Sequence, residues 1–295
     1  MTEETSPRVN LLQRLQSVDR RVIYGLLVLV MAIPIVYTRI TGQPVRLPVH
    51  VFADTRGLYD KIESLGPDDI VLIMCDWGPG SKGENWPQTE AVIRHLLRRG
   101  AKFVIMGVDA VGPTLGQEMA ERIAAEYGRR YGRDWVNFGY KPLTDPALLS
   151  FCEDIPKFCE GQDYARNPLA GLPLMARLHS MHDIALVYEV NAAPGILTWI
   201  GLVQPKFKTP LAFGGTGVCV PEVYPFLDSK QLCGVIAGMR GAAEYEYLIG
   251  AEADATKGMG PLEMGHLLII ALMIAGNMGM FLTARRQRAR ERGPA

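Results

Sequence analysis

The sequence predicts an α/β fold: a mainly parallel sheet with helices on both faces, flanked by one N-terminal and one C-terminal transmembrane helix. Three observations carry this reading. Short unbroken apolar runs alternate with segments of helical periodicity through the middle of the chain. An uncharged apolar stretch stands near each end. Basic residues crowd the outer flanks of both stretches, although the 295 residues include 31 Lys and Arg against 31 Asp and Glu. That balance argues against a nucleic-acid binder, which carries a basic excess on one face.

The first stretch, residues 22–38, reads VIYGLLVLVMAIPIVYT. As a helix it would reach about 26 Å, the short end of a bilayer crossing. Tyr24 and Tyr37 stand near its ends, where amphipathic rings favour the headgroup zone. A cleaved signal peptide is the alternative. The run is long for one, and the following TRITGQPVR lacks a small-x-small cleavage site. A buried core helix would keep a polar stripe, and none is present.

The second stretch lies within residues 263–284 and contains GHLLIIALMIAGNMGMFLT. Asn277 is its strongly polar interior residue, between Gly276 and Gly279. An amide in hydrocarbon seeks a partner, so these three residues are a candidate helix contact. The plainer reading hydrates Asn277 near the Arg-rich end. The segment 258–265 before it reads as a Gly-rich tether.

Arg8, Arg14, Arg20 and Arg21 lie outside the first span; Arg285, Arg286, Arg288, Arg290 and Arg292 lie outside the second. The inner flanks offer only Arg39, Arg46 and Lys257. The positive-inside rule then orders the chain. Residues 1–21 form a basic cytoplasmic tail, 22–38 a span, 39–262 an extracytoplasmic α/β domain with tethers, 263–284 a second span and 285–295 an Arg-rich cytoplasmic tail. The expected location is the cell inner membrane.

Within the domain, residues 69–75 form an apolar run suited to a strand buried on both faces. The loop WGPGSKGEN follows, then a helix with Asn85 as N-cap, Pro87 in its first turn and Gly100 as its stop. Residues 102–106 are a second strand, and Thr114 opens a second helix carrying Leu115, Met119, Ile123 and Tyr127 on one stripe. Residues 135–138, 184–188, 210–213 and 233–237 read as further strands, and 196–203 and 242–249 as helices. Strands alternating with helices argue a parallel sheet with right-handed crossovers.

Residues 68–107, DDIVLIMCDWGPGSKGENWPQTEAVIRHLLRRGAKFVIMG, resemble the strand, Gly/Pro loop, helix and "RGGxLVI" strand of GldG-type auxiliary proteins of ABC transporters. Arg99-Gly100 stands where that family tends to have a Gly pair. The resemblance implies an α/β domain outside the membrane on transmembrane anchors. It carries over no functional residue.

Ligands of open parallel sheets bind outside the carboxyl ends of the strands. The residues falling there are Asp76 and Trp77, Asp109, Glu189 and Asn191, the Gly214-Gly215 turn and Arg240. Asp76, Asp109 and Glu189 are the candidate catalytic carboxylates; Trp77, Asn191, Gly214, Gly215 and Arg240 are candidate ligand contacts. The same residue types also cap helices and make turns, so a structural role competes with each.

Other motifs are weaker. The loop 78–83 lacks both the GxxxxGK[ST] and the GxGxxG spacing, and no cofactor is expected from it. His179 and His182 stand three apart with no third ligand in view, so no metal is expected. No G-x-S-x-G elbow is present. Cys75 ends a strand and reads as core. Cys152 and Cys159, which enclose CEDIPKFC, are the preferred disulfide pair in an oxidising compartment, with Cys219 and Cys233 second.

The favoured function is a non-catalytic module that binds partners or assembles with itself, with the lipid bilayer and other membrane proteins or further copies as partners. A membrane-bound, hydrolase-like enzyme with a carboxylate site is the alternative.

Overall fold

The computed structural model describes residues 19–43, 45, 48–251 and 253–291. The chain divides into two units: Pro48–Thr256, and a helical unit drawn from Met1–Leu47 and Lys257–Ala295.

The larger unit opens with α2 (Ala53–Glu63), a helix absent from the sequence-based elements. The helical unit contributes the preceding α1 (Arg20–Thr41). Then come β1 (Ile70–Asp76), α3 (Lys82–Arg99), β2 (Lys102–Gly107), α4 (Gly112–Glu126), β3 (Trp135–Tyr140), α5 (Asp145–Glu153) and α6 (Ile155–Phe158). After several 3-10 turns follow β4 (Ile184–Asn191), α7 (Ile196–Thr198), a π-helical turn (Trp199–Val203), α8 (Gln204–Phe207), β5 (Leu211–Gly215), α9 (Tyr224–Asp228), β6 (Leu232–Ala237) and α10 (Gly238–Leu248).

The six strands form one all-parallel sheet in the order β3-β2-β1-β4-β5-β6. This is the order of a Rossmann-like, doubly wound fold, and it reverses between β1 and β4. The expected α/β class and parallel sheet are present. β1 is buried at every position, as its unbroken apolar run requires. One face of the sheet carries Ile70, Leu72, Met74, Val104, Val187 and Phe213, packed with α5 and the 196–207 helical segment. The other carries Cys75 and Ile105 against α4, where Gly116 leaves room for both side chains.

Two close approaches fix the edge of the sheet. A Cβ on Gly57 of α2 would stand 2.2 Å from the Cys233 carbonyl oxygen, and one on Gly234 would stand 2.2 Å from the Leu58 nitrogen. Glycine at both positions lets α2 lie directly on β6. Across the helices, buried His95 of α3 bridges Tyr245 Oη of α10 (2.8 Å) and Glu63 Oε1 of α2 (3.0 Å) and stacks on Tyr59.

In the helical unit, α1 extends beyond the expected span at both ends, from the Asp19 cap to left-handed Gly42. The last helix, α11 (Asp254–Glu291), is continuous. The segment 258–265, expected as a tether, is part of that helix and tolerates Pro261 within it. Both helices are long and apolar enough to cross a membrane. They approach each other at Gly260, where a Cβ would meet Pro34 at 3.2 Å, and at Gly265, where it would meet Met31 at 3.7 Å. Of the three expected contact residues, Gly279 is buried, Gly276 has nothing within 4 Å of a Cβ, and Asn277 is exposed. The three residues do not share a face. Arg8, Arg14, Pro44, Arg46 and Arg292 lie outside the described residues.

Candidate functional site

The reversal of strand order between β1 and β4 is where a doubly wound sheet leaves a crevice. β1 ends at Asp76, which pairs in register with Asn191, while Glu189 pairs with Met74. Alternation along parallel strands therefore puts Asp76, Glu189 and Asn191 on one face of the sheet.

Glu189 is the deepest of them, 2% exposed. Its Oε1 accepts a 2.7 Å hydrogen bond from Asn191 Nδ2. Its Oε2 is buried with no hydrogen-bond partner among the described residues. Burial, then the neighbouring Asp76 charge, raise its pKa to about 8; the Asn191 hydrogen bond opposes them. A Cβ on Gly195 would fall 2.2 Å from Glu189 Oε1, so the loop after β4 closes over the carboxyl only because residue 195 is glycine.

Asp76 is 8% exposed. Burial raises its pKa to about 7, against hydrogen bonds from the Val108 and Asp109 backbone N–H groups, with the Asp109 charge adding a further upward push. The Val108 bond is 2.5 Å. Asp76 therefore holds the loop after β2. Asp109 itself is exposed, and its side chain accepts from Val111 N at 2.6 Å to turn the chain into α4. Of the three candidate carboxylates, the structure brings Asp76 and Glu189 together and leaves Asp109 as their outer support.

The candidate ligand contacts are engaged within the protein. Trp77 is 2% exposed and packs edge-on against Trp86. Asn191 is divided between Glu189 and Ala193 N, which its Oδ1 accepts at 2.9 Å. A Cβ on Gly214 would lie 2.4 Å from Tyr188 Oη, and one on Gly215 would strike Phe213 and Cys219, so both glycines serve close packing. Arg240 belongs to α10, where it pairs with Glu244 at 3.2 Å and lies over the Phe52 ring at 4.4 Å. It is spent on a helix pair and a ring rather than on the strand edge.

Sequence reasoning missed the groups that bind this edge together. Asn85 is not the N-cap; α3 starts earlier, with Ser81 in that position. Asn85 and Gln88 are both fully buried. Gln88 Nε2 donates to the Gly215 carbonyl at 2.9 Å and the Gly238 carbonyl at 3.0 Å. Asn85 Nδ2 donates to Gln88 Oε1 and the Asn191 carbonyl. Glu84 Oε2 accepts from Gly217 N at 2.8 Å. The signal was present: Asn85, Gln88, Val92 and Leu96 fall on one helical stripe, so two amides share the face that buries Val92 and Leu96.

No group of three or more His, Cys, Asp or Glu among the described residues is placed to hold a metal ion. His179 and His182 are exposed; Asp183 accepts from the His179 and Ser180 backbone in a capping box. The disulfide expectation is corrected. All five cysteines are free thiols. Cys152 in α5 and Cys159 after α6 pack into the apolar cluster, and burial pushes each thiol up to about 12. Cys219 and Cys233 are likewise unbridged.

Two neighbouring buried carboxyls that hold protons near neutral pH have the raw character of an acid–base pair. The loops over them are tied down by the same carboxyls and by the α3 clamp, so the pair faces protein rather than solvent. Comparison with protein-family models, with curated proteins and with solved structures gives no match to this chain.

Proposed function

We propose that the protein is a membrane-anchored assembly module: an extracytoplasmic α/β domain held on α1 and α11, which associates with further copies or with other membrane proteins. The observation that carries this reading is the internal closure of the strand-end edge. Asp76, Asn191, Glu84, Gln88 and the Asn85 amide N–H direct their polar groups to backbone or side chains of the same domain, while Asn85 Oδ1 is buried without a partner among the described residues. Such an edge is built to be rigid. Meanwhile α1 and α11 expose Leu29, Ile33, Met273 and Phe281, apolar side chains suited to lipid or to other helices. The resemblance of residues 68–107 to GldG-type proteins supports an auxiliary subunit of a membrane complex.

The proposed topology puts both termini in the cytoplasm and the domain outside the cell inner membrane. Protease added to spheroplasts would then cut the domain and spare the Arg-rich ends. Native mass measurement in mild detergent tests the assembly: oligomers or a stoichiometric membrane partner are expected. Monomers with no partner at any concentration overturn it.

A second reading, a hydrolase-like enzyme, is favoured by one observation, the unpartnered Glu189 Oε2 beside Asp76. It requires Asp76→Asn and Glu189→Gln to abolish a turnover that the folded wild type shows.

A further inference from the structure

α11 carries two different faces. One packs against α1 through Gly260 and Gly265. Away from it, His266, Ile270, Met273, Asn277, Met280 and Ala284 are all exposed and follow one another at alternating steps of four and three residues. That is the 3.5-residue heptad period of a two-helix seam: Ile270, Asn277 and Ala284 fall in one core position, and His266, Met273 and Met280 in the other. Ile270, Met273 and Met280 expose 48%, 55% and 61% of their surface, so the stripe is uncovered by the described residues.

We infer that this stripe docks a second copy of the chain, α11 against α11, with Asn277 of one copy hydrogen-bonded to Asn277 of the other. The inference rests on the membrane-anchored reading above and names the surface that assembly uses. Three arguments select the occupant. A bilayer gives both copies the same orientation, so the two helices run parallel and each residue lies at the depth of its counterpart. A two-fold contact is self-complementary, and an amide, with both a donor and an acceptor, is the polar side chain that satisfies itself across such an axis. In parallel heptad seams a single Asn in this position fixes register and two-strandedness. Ile274, 59% exposed, stands three residues before Asn277 and, with Leu267 and Phe281, borders the Ile270, Asn277 and Ala284 row on its other side, so the seam centres on that row; Met278, 56% exposed, stands outside it.

The full-length protein in mild detergent provides the test. The dimer dissociation constant is measured by a dilution series for wild type and Asn277→Leu. Loss of the amide pair should weaken the dimer about three- to thirtyfold. In parallel, Ile270→Cys and Met278→Cys are oxidised, with wild type as the background for the five native thiols. Cross-linked dimer is expected from Ile270→Cys and not from Met278→Cys; this arm stands even where Asn277→Leu expresses poorly. An unchanged dissociation constant with cross-linking through Met278→Cys would leave the assembly intact and overturn the stripe. A strictly monomeric wild type would overturn both. Stoichiometric capture of a different membrane protein by a monomeric chain would overturn the second copy as occupant.

Discussion

Glu189→Gln should remove most of a pH dependence of stability that the wild type carries between mildly acidic and mildly alkaline pH. The carboxyl ionises near 4.5 when exposed and near 8 in the fold. Its folded pKa is raised, so the sign is fixed. Below about pH 4.5 the acid is neutral in both states and costs nothing. As pH rises from 4.5 to 8, the unfolded chain releases the proton first and the fold is progressively destabilised; above 8 the loss is complete. At about 1.4 kcal/mol per pH unit, that interval amounts to roughly 5 kcal/mol, an upper figure because Asp76 shares the titration. Glutamine keeps the size and the Asn191 contact without a charge to acquire. The assay is urea unfolding in detergent from pH 5 to 9, followed by tryptophan fluorescence, since Trp77, Trp135 and Trp199 are all buried in the α/β unit. The decisive quantity is the difference between the two proteins at each pH, in which titrations elsewhere, including that of His95, cancel. Glu189→Gln should gain on wild type by several kcal/mol across the window. A difference that stays flat with pH would refute the burial of an ionisable Glu189 at this position.

Four further outcomes follow from the packing. Gly195→Ala drives a methyl to 2.2 Å from Glu189 Oε1 and should cost about 1–3 kcal/mol, read as a lowered midpoint of thermal unfolding. Gln88→Leu strands the Gly215 and Gly238 carbonyls and should cost about 1–3 kcal/mol by urea unfolding, with faster amide exchange around residues 214–217. His95 is held neutral in the fold, its pKa lowered to about 4 chiefly by burial, so the wild type should lose stability as pH falls from 6.5 toward 4, and His95→Gln should not show that loss. Cys152 and Cys159 should resist a thiol reagent in the native protein and react after unfolding; an intact 152–159 bridge in non-reducing mass spectrometry would contradict the structure.

The sheet was legible where one residue type dominates locally. β1 and β2 are buried on both faces, so their sequences are unbroken apolar runs, and Gly100 marks the helix end by adopting the left-handed φ of 77° that glycine tolerates best. What was lost depended on distant partners. The reading of Asn85 as a cap follows from local preference, but its side chain answers to Asn191, more than a hundred positions away. The reading of 258–265 as a tether follows from its glycines, yet those glycines are where α11 approaches α1. Glycine weakens a helix by about 1 kcal/mol in isolation, and close packing against a neighbour offsets that. The Cys152–Cys159 pairing came from spacing alone, which says nothing of where two thiols point. Of the strand-end residues, the sequence placed Asp76, Glu189 and Asn191 on one edge correctly, because that edge follows from parallel topology. It could not tell whether they face a ligand or one another.

That distinction decides the functional reading. A site prepared for substrate keeps polar groups free until the substrate arrives, and it keeps the loops above them movable. Here the order is inverted. Asp76 binds the loop after β2, Asn191 and Gly195 close the loop after β4, and α3 clasps the ends of β4, β5 and β6 through Asn85, Gln88 and Glu84. Releasing any one of these exposes a buried donor or acceptor at a cost of about 1–3 kcal/mol, so opening the crevice means breaking several at once. Glu189 Oε2, Asn85 Oδ1, Tyr188 Oη and Trp77 Nε1 remain inside without hydrogen-bond partners among the described residues, and a proton on the Glu189 carboxyl removes the charge that would make its burial untenable. In the proposed assembly reading, the fold position that other doubly wound sheets leave open for ligands acts as a buckle that stiffens the domain. On α11, Asn277 and its apolar neighbours are exposed, and that is where association is expected to act.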